Sequence, residues 1–321
     1  MAYCLDDGEA LRLGLRRCAR EQLDRAIGEL TEGVRLDPVK AVHEARKALK
    51  QERSLLRLGR GTFRADVRRR ENAGFRAAAR SLGDSRDADV TIQALDELAE
   101  RYAGQVPKRT FSAIRKRLER ERAAARLELS QAGATEAVVD QLRSAQLRID
   151  DWELVRGGWP GAEDGLLRSY RRGQKAAKRA RREPTVENLH DWRKRAKDLW
   201  YHLRLLERMS PQVMHGHAQD AHRLSDLLGD DHDLAVLRQS LTGEAGRVPV
   251  DTDAVIGAID HRREQLQSDA FLLADHLYAE RPKSFRRRMR RYWTAWRAQT
   301  DAVQARRPAE LATISRHAVV A

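Results

Sequence analysis

The chain has 321 residues, of which 62 are Lys or Arg and 48 are Asp or Glu, so its formal net charge is +14. Apolar residues make up 41% of the sequence, enough for a folded core, yet no stretch approaches the roughly 18 consecutive apolar residues of a transmembrane helix. The N-terminus lacks the apolar stretch of a secretory signal, and Cys4 and Cys18 form neither a disulfide framework nor a zinc site. The composition predicts a basic cytoplasmic protein that attracts polyanions: nucleic acid, anionic lipid headgroups or a polyphosphate-like polymer.

Apolar residues recur at the i, i+3, i+4 and i+7 spacing of helices along most of the chain, so the predicted fold class is all-α. Asp37 and Thr185 are predicted to cap two of the helices, because each precedes a helical pattern and lies beside a proline. In the first of these helices, Val42, Ala45, Leu49 and Leu56 share the predicted core face. Predicted breaks lie at Asp37-Pro38, 59–61, 104–107, 157–161, Glu183-Pro184, Ser210-Pro211, 242–250 and Arg281-Pro282.

Two motifs occur twice in the same order. H-x-x-R-K-x-x-K begins at His43 and again at His190, and L-G-x-x-R/H-D-x-x-V begins at Leu82 and again at Leu228. A weaker match aligns residues 11–17 with residues 166–172. The nearly constant offset predicts a tandem duplication, in which two four-helix bundles are related by a pseudo-twofold axis. The expected division is a first repeat at 1–155, a linker at 156–165, a second repeat at 166–305 and a tail at 306–321.

Cationic side chains fall on one face of each H-x-x-R-K-x-x-K helix, within about 80° at 100° per residue. The first stripe consists of His43, Arg46, Lys50, Arg53 and Arg57, and the second consists of His190, Arg193, Lys197, Trp200 and Arg204. Lys47 and Lys194 lie at the edges, and the preceding helices add Arg16, Arg20, Arg171 and Lys175. Like charges at this spacing repel each other unless an anion compensates them, so the stripes predict an anion site. A solvated basic surface is the alternative.

Acidic residues follow the second motif in both copies and allow a different interpretation. Asp87, His232 and Asp233 could act with Mg²⁺ in a metal-dependent phosphohydrolase. The simpler interpretation is that each Gly ends a helix, the next Asp caps the following helix, and the second Asp pairs with an Arg. His215, His217 and His222 are an incomplete set of metal ligands, and neither a nucleotide P-loop nor H-E-x-x-H occurs. The sequence thus predicts no metal, no cofactor and no catalysis.

The doubled motifs, together with the stretch from Leu277 to Phe285, resemble the CHAD domain, the conserved histidine α-helical domain, over about residues 5–300. Members of that family are two-bundle helical proteins that bind inorganic polyphosphate in a basic groove, and some localise to polyphosphate granules. The resemblance implies non-catalytic polyphosphate binding, with no membrane and no nucleic acid as partner; generic nucleic-acid binding stays as a rival. Gln51 and Trp200 stand where the family often has a basic residue. The implied ligands are His43, Arg46, Lys47, Lys50, Arg53, His190, Arg193, Lys194 and Lys197.

Overall fold

The computed structural model describes the backbone at residues 3–83, 87–131, 134–243 and 251–318, without the side chains of residues 87–88, 125–131, 134, 304 and 307–318. The regular elements in this part of the chain are helices, which confirms the predicted all-α class. Short π-helical and 3₁₀ segments lie at Glu29–Gly33, Gly59–Gly61 and Glu207–Met209. The α-helices are α1 (Leu11–Gly28), α2 (Val34–Leu36), α3 (Pro38–Leu58), α4 (Ala65–Ser81), α5 (Asp87–Arg101), α6 (Lys108–Gln131), α7 (Ala134–Leu147), α8 (Gly158–Arg182), α9 (Val186–Leu205), α10 (Pro211–Thr242), α11 (Asp253–Leu277) and α12 (Pro282–Ala318).

The two motif helices begin where the capping residues predict. The side chain of Asp37 accepts a hydrogen bond from the backbone N–H of Lys40 at 3.0 Å, and Pro38 occupies the first turn of α3. The hydroxyl of Thr185 accepts one from the backbone N–H of Asn188 at 3.2 Å at the start of α9. Each bond satisfies a first-turn donor that has no partner inside the helix. Both predicted N-caps are confirmed.

The glycine of the repeated L-G motif behaves differently in the two copies. Gly83 has a φ of +66° and follows the end of α4, as predicted. The prediction is wrong for Gly229, which lies inside the uninterrupted helix α10. Asp230, the Asp that follows it, caps nothing, because it too lies inside α10. The next residue, Asp231, is buried, and its carboxylate accepts hydrogen bonds from Arg263 at 3.1 Å and Gln267 at 2.8 Å. A helical glycine costs only about 1 kcal/mol relative to alanine, so packing can keep the helix intact.

The buried side chains form two hydrophobic clusters, and each draws on both halves of the chain. The large cluster joins α1, α3, α4 and α7 with α8, α9, α12, the first part of α10 and the end of α11. The small cluster joins α5 and α6 with the end of α10 and the start of α11. Ala45, Leu49 and Leu56 are buried in the large cluster as predicted, and Val42 packs against it partly buried. The division into repeats at 1–155 and 166–305 stays a prediction.

Helix α8 packs very closely on the end of α3. A Cβ atom added at Gly165 would lie 2.0 Å from the carbonyl oxygen of Leu58, so no side chain fits there. A Cβ atom at Gly61 would lie 2.8 Å from the carbonyl oxygen of Pro160. In the interval 156–165, expected to be a linker, α8 begins at Gly158. Among the described helices, none has the length and apolar character needed to cross a membrane.

Candidate functional site

The two predicted cationic stripes meet in one cavity of about 1670 Å³, which is lined by residues of α3, α4, α5, α9, α10 and α11. Because α3 and α9 pack against each other, the H-x-x-R-K-x-x-K motifs come together although they lie far apart in the sequence. Nine of the predicted site residues line this cavity. They are His43, Arg46, Lys50, Arg53, Arg57, His190, Arg193, Lys194 and Lys197.

The other six predicted residues are absent from the cavity lining in the described part of the chain. Lys47 donates a hydrogen bond to Glu44 at 3.3 Å. The guanidinium of Arg16 donates to the backbone carbonyl of Trp152 at 2.8 Å, and Arg20 forms an ion pair with a carboxylate in the segment between α7 and α8. These contacts direct the side chains of α1 towards another part of the molecule. The six residues are Lys47, Arg204, Arg16, Arg20, Arg171 and Lys175.

Several arginines that are absent from the predicted site also line the cavity. Arg76 and Arg80 lie one turn apart on α4, and their i, i+4 spacing is the signal that could have revealed them. Arg195 lies on α9, where it forms an ion pair with Asp191 at 2.8 Å. The additional cationic lining residues are Arg76, Arg80, Arg101, Arg195 and Arg262.

Positive charges in the cavity are close enough to disturb one another. Burial, together with the charges of Lys50 and Arg193, lowers the pKa of Lys197 to about 8. Burial also lowers the pKa of Arg53 to about 10, with the neighbouring guanidinium groups of Arg57 and Arg76 acting in the same direction. An anion placed among these groups would relieve the repulsion and raise both pKa values. The electrostatics of the cationic stripes on α3 and α9 therefore favour binding of a negatively charged ligand.

His190 lies in the cavity beside a second imidazole. Its ring centroid is 4.4 Å from that of His232, and the two ring planes are tilted by 32°. Burial lowers the pKa of His190 to about 4, with the charges of Lys194 and His232 acting in the same direction. The ring is therefore neutral near pH 7, where it can donate one hydrogen bond to a phosphate oxygen.

Gly229 explains one part of the repeated L-G motif. A Cβ atom at this position would lie 3.0 Å from Nη2 of Arg193, so the missing side chain leaves room for the guanidinium to lie across α10. One turn later, the carboxylate of Asp233 is 4.0 Å from Nη1 of Arg193. The second motif thus positions an arginine that belongs to the first motif. The expected pairing of the later Asp with an Arg is observed in this copy.

The part of the cavity lining that α5 and α10 supply carries carboxylates. Burial, together with the nearby charges of Glu97, Asp233 and Asp226, raises the pKa of Asp230 to about 6. We call this set the acidic wall. It consists of Glu97 and Glu100 of α5 and Asp226, Asp230 and Asp233 of α10.

The residues proposed for metal chemistry are not brought together as a ligand set. Within the described residues, no group of three or more His, Cys, Asp or Glu side chains has a geometry that could hold a metal ion. The side chain of Asp87 lies outside the described residues. His215 and His222 each contact a carboxylate, whereas His217 contacts the backbone carbonyl of Leu277 at 3.3 Å.

Comparisons with known proteins give one consistent picture. The chain is similar to the CHAD domain from the plant Ricinus communis, with 19% identity, a TM-score of 0.59, and coverage of 88% of this chain and 96% of that one. It is also similar to PptA from Streptomyces chartreusis, with 14% identity, a TM-score of 0.50, and coverage of 83% and 96% respectively. These likenesses concern the fold. No curated protein matches the sequence.

The family assignment comes from the sequence itself. The model of the CHAD domain family matches residues 17–242, which is most of the chain and includes both H-x-x-R-K-x-x-K motifs. The structural likeness to a solved CHAD domain agrees with it. The chain therefore belongs to the CHAD domain family.

Proposed function

We propose that this chain binds inorganic polyphosphate in the cavity where the α3 and α9 stripes meet and does not hydrolyse it. The observation that carries the proposal is the convergence of both cationic stripes on one cavity, where burial and then the neighbouring cations lower the pKa of Lys197 and Arg53. Membership of the CHAD family supports the same ligand. Binding of this kind would bring the chain to polyphosphate granules in the cytoplasm.

A linear polyphosphate suits this arrangement because each unit carries about one negative charge. Arginine and lysine side chains repeat along α3 and α9 at helical pitch, so successive units can each meet a cation. A hydrogen bond to a charged group contributes about 1.5–3 kcal/mol before the cost of desolvation, and many such contacts add up along one polymer. The carboxylates of the acidic wall repel a polyanion, so the cations of the α3 and α9 stripes are the lining groups that the polymer should contact.

Nucleic acid is a weaker candidate for this cavity. Proteins that bind single strands combine a basic groove with several aromatic side chains on which bases stack. Among the described lining residues, Tyr201 is the single one that is Phe, Tyr or Trp. Burial and nearby carboxylates raise the pKa of its hydroxyl, and the charge of Arg204 opposes part of this rise. The lining thus offers cations for phosphates and little surface for bases.

Calorimetric titration with polyphosphate of defined length, at two salt concentrations and with duplex DNA as comparator, tests the proposal. We expect saturable, length-dependent binding that weakens steeply with salt, as for other polyanions. Lys50→Glu should lower the affinity more than tenfold, whereas Lys116→Glu, an exposed position on α6, should change it little. Equal affinity for DNA at matched charge, or full binding by the Lys50→Glu variant, would overturn the proposal.

Hydrolysis is tested separately, because carboxylates and His232 line the same cavity. We expect no orthophosphate to form when the protein is incubated with polyphosphate and Mg²⁺. Release of orthophosphate that disappears in Asp233→Asn would show instead that the chain is a metal-dependent phosphohydrolase.

A further inference from the structure

Outside the cavity, exposed and half-buried arginines gather where α8 packs on the end of α3. Arg60 lies in the 3₁₀ turn after α3, Arg68 and Arg69 lie in the first turns of α4, and Arg168 and Arg172 lie one turn apart on α8. None of these positions belongs to the predicted stripes. We call Arg60, Arg68, Arg69, Arg168 and Arg172 the arginine patch.

The close packing of α8 brings these residues together. Gly165 and Gly61 let the backbone of α8 touch the end of α3 and its following turn, because any side chain at either position would overlap a carbonyl oxygen. Arg168 follows Gly165 by one helical turn, and Arg60 immediately precedes Gly61. Arginines from three separate stretches of the sequence therefore lie around one helix crossing.

The patch has excess positive charge. Arg60, Arg68, Arg69 and Arg168 form no side-chain hydrogen bond or ion pair with other described residues, whereas the neighbouring Arg64 pairs with Asp66 at 2.5 Å. Burial lowers the pKa of Arg68, and the charges of Arg60, Arg69 and Arg168 lower it further. The four guanidinium groups thus repel one another, and no described carboxylate forms an ion pair with them to reduce that repulsion.

Arg172 links the patch electrostatically to a residue of the cavity lining. Burial lowers the pKa of Arg172, and the charges of Arg195 and Arg168 act in the same direction. Arg195 lines the cavity. Arg168 in turn lowers the pKa of Arg68, so the charge interactions connect a cation of the cavity lining with those of the patch. Asp198, which raises the pKa of Arg172, is already bound to Arg57 at 2.8 Å.

We propose that the arginine patch is a second contact surface for polyphosphate, which engages the part of a long chain that extends out of the cavity. The inference rests on the proposed function, because it requires polyphosphate in the cavity. A short oligophosphate bound there does not reach the patch, whereas a long polymer contacts both surfaces at once and gains affinity from their linkage.

Binding of tripolyphosphate and of long-chain polyphosphate to the Arg68→Gln/Arg168→Gln variant tests the inference. Both side chains reach solvent, so the fold should be retained, which circular dichroism checks. We expect unchanged affinity for tripolyphosphate and about tenfold weaker binding of the long chain. The slope of log affinity against log salt should fall by about one to two for the long chain. Arg68→Lys/Arg168→Lys should restore most of the affinity.

Arg109→Gln/Lys116→Gln on α6 is the matched control, since it removes the same charge from exposed positions distant in sequence. An equal loss of long-chain affinity in this control would overturn the patch in favour of a general charge effect. Unchanged long-chain binding by the patch variant, or an equal loss for tripolyphosphate, would overturn it as well. If the wild-type protein binds neither probe, the proposed function itself fails, which is a distinguishable result.

Discussion

Gly229 makes room for the guanidinium of Arg193. Replacing it by alanine should therefore affect polyphosphate affinity and folding stability differently. Alanine inside a helix is favoured over glycine by about 0.5–1 kcal/mol, so Gly229→Ala should not lower the melting temperature. Its Cβ atom, 3.0 Å from Nη2 of Arg193, should displace that side chain and weaken polyphosphate binding several-fold. Thermal melts and titrations of the same preparation measure both effects.

Gly216 is the control on the same helix. A Cβ atom there meets nothing within 4 Å, so Gly216→Ala should raise stability by a similar amount and leave the affinity unchanged. If both alanine variants bind as the wild type does, Gly229 does not position Arg193 for the ligand.

Lys197 should make binding depend on pH. Its pKa is lowered to about 8 in the free protein, and a bound polyanion raises it. Above pH 8 the free side chain is increasingly neutral and must take up a proton on binding, so the affinity should fall as the pH rises from 7.5 to about 9.5. Lys197→Arg keeps its charge throughout this range. Titrations at several pH values should show a much flatter profile for this variant, and an identical profile would contradict the assignment.

At the scale of the elements, the contact between α3 and α9 contains a buried titratable group. Nε2 of His202 on α9 lies 2.9 Å from the backbone carbonyl oxygen of Ser54 on α3, so the neutral ring donates a hydrogen bond between the helices. Burial lowers the pKa of His202 to about 4. The unfolded chain, with a pKa near 6.5, binds this proton more readily, so folding stability should decrease as the pH falls from about 6.5 to 4.

The measurement is urea unfolding at pH 7 and at pH 4.5, in wild type and in His202→Gln. The amide of glutamine can still donate to Ser54 but does not titrate. Between these two pH values the wild type should lose about 2 kcal/mol through this histidine, because its pKa is about 4 in the folded protein and near 6.5 in the unfolded chain, and the variant should lack that part of the loss. The same acid dependence in both proteins would mean that other groups control it.

The sequence predicts the helical elements better than their contacts. Local signals suffice for the caps at Asp37 and Thr185 and for the alignment of each cationic stripe, because these depend on residues a few positions apart. The continuation of α10 through Gly229 could not be predicted, since a small local penalty is outweighed by packing against other helices. Charge at helical spacing predicts Arg16 in the site, but its guanidinium donates to the backbone carbonyl of Trp152, 136 residues away in the sequence.

At the scale of the whole molecule, the two hydrophobic clusters make the halves of the chain interdependent. Each cluster joins helices from before and after residue 156. Residues 1–155 expressed alone should therefore lack a cooperative thermal transition, and residues 156–321 should behave likewise. Circular dichroism melts of the two fragments and of the full chain measure this. A fragment that melts cooperatively on its own would support an independent repeat.

The small cluster also has a consequence for synthesis. The residues of this cluster are synthesised at different times. Leu95 and Ile114 leave the ribosome early, whereas Leu237 and Ile259, which belong to the same cluster, are added after more than a hundred further residues. During that interval the apolar faces of α5 and α6 are open to chaperones and to other nascent chains. The yield of folded protein should therefore depend on how rapidly translation proceeds between α6 and α11.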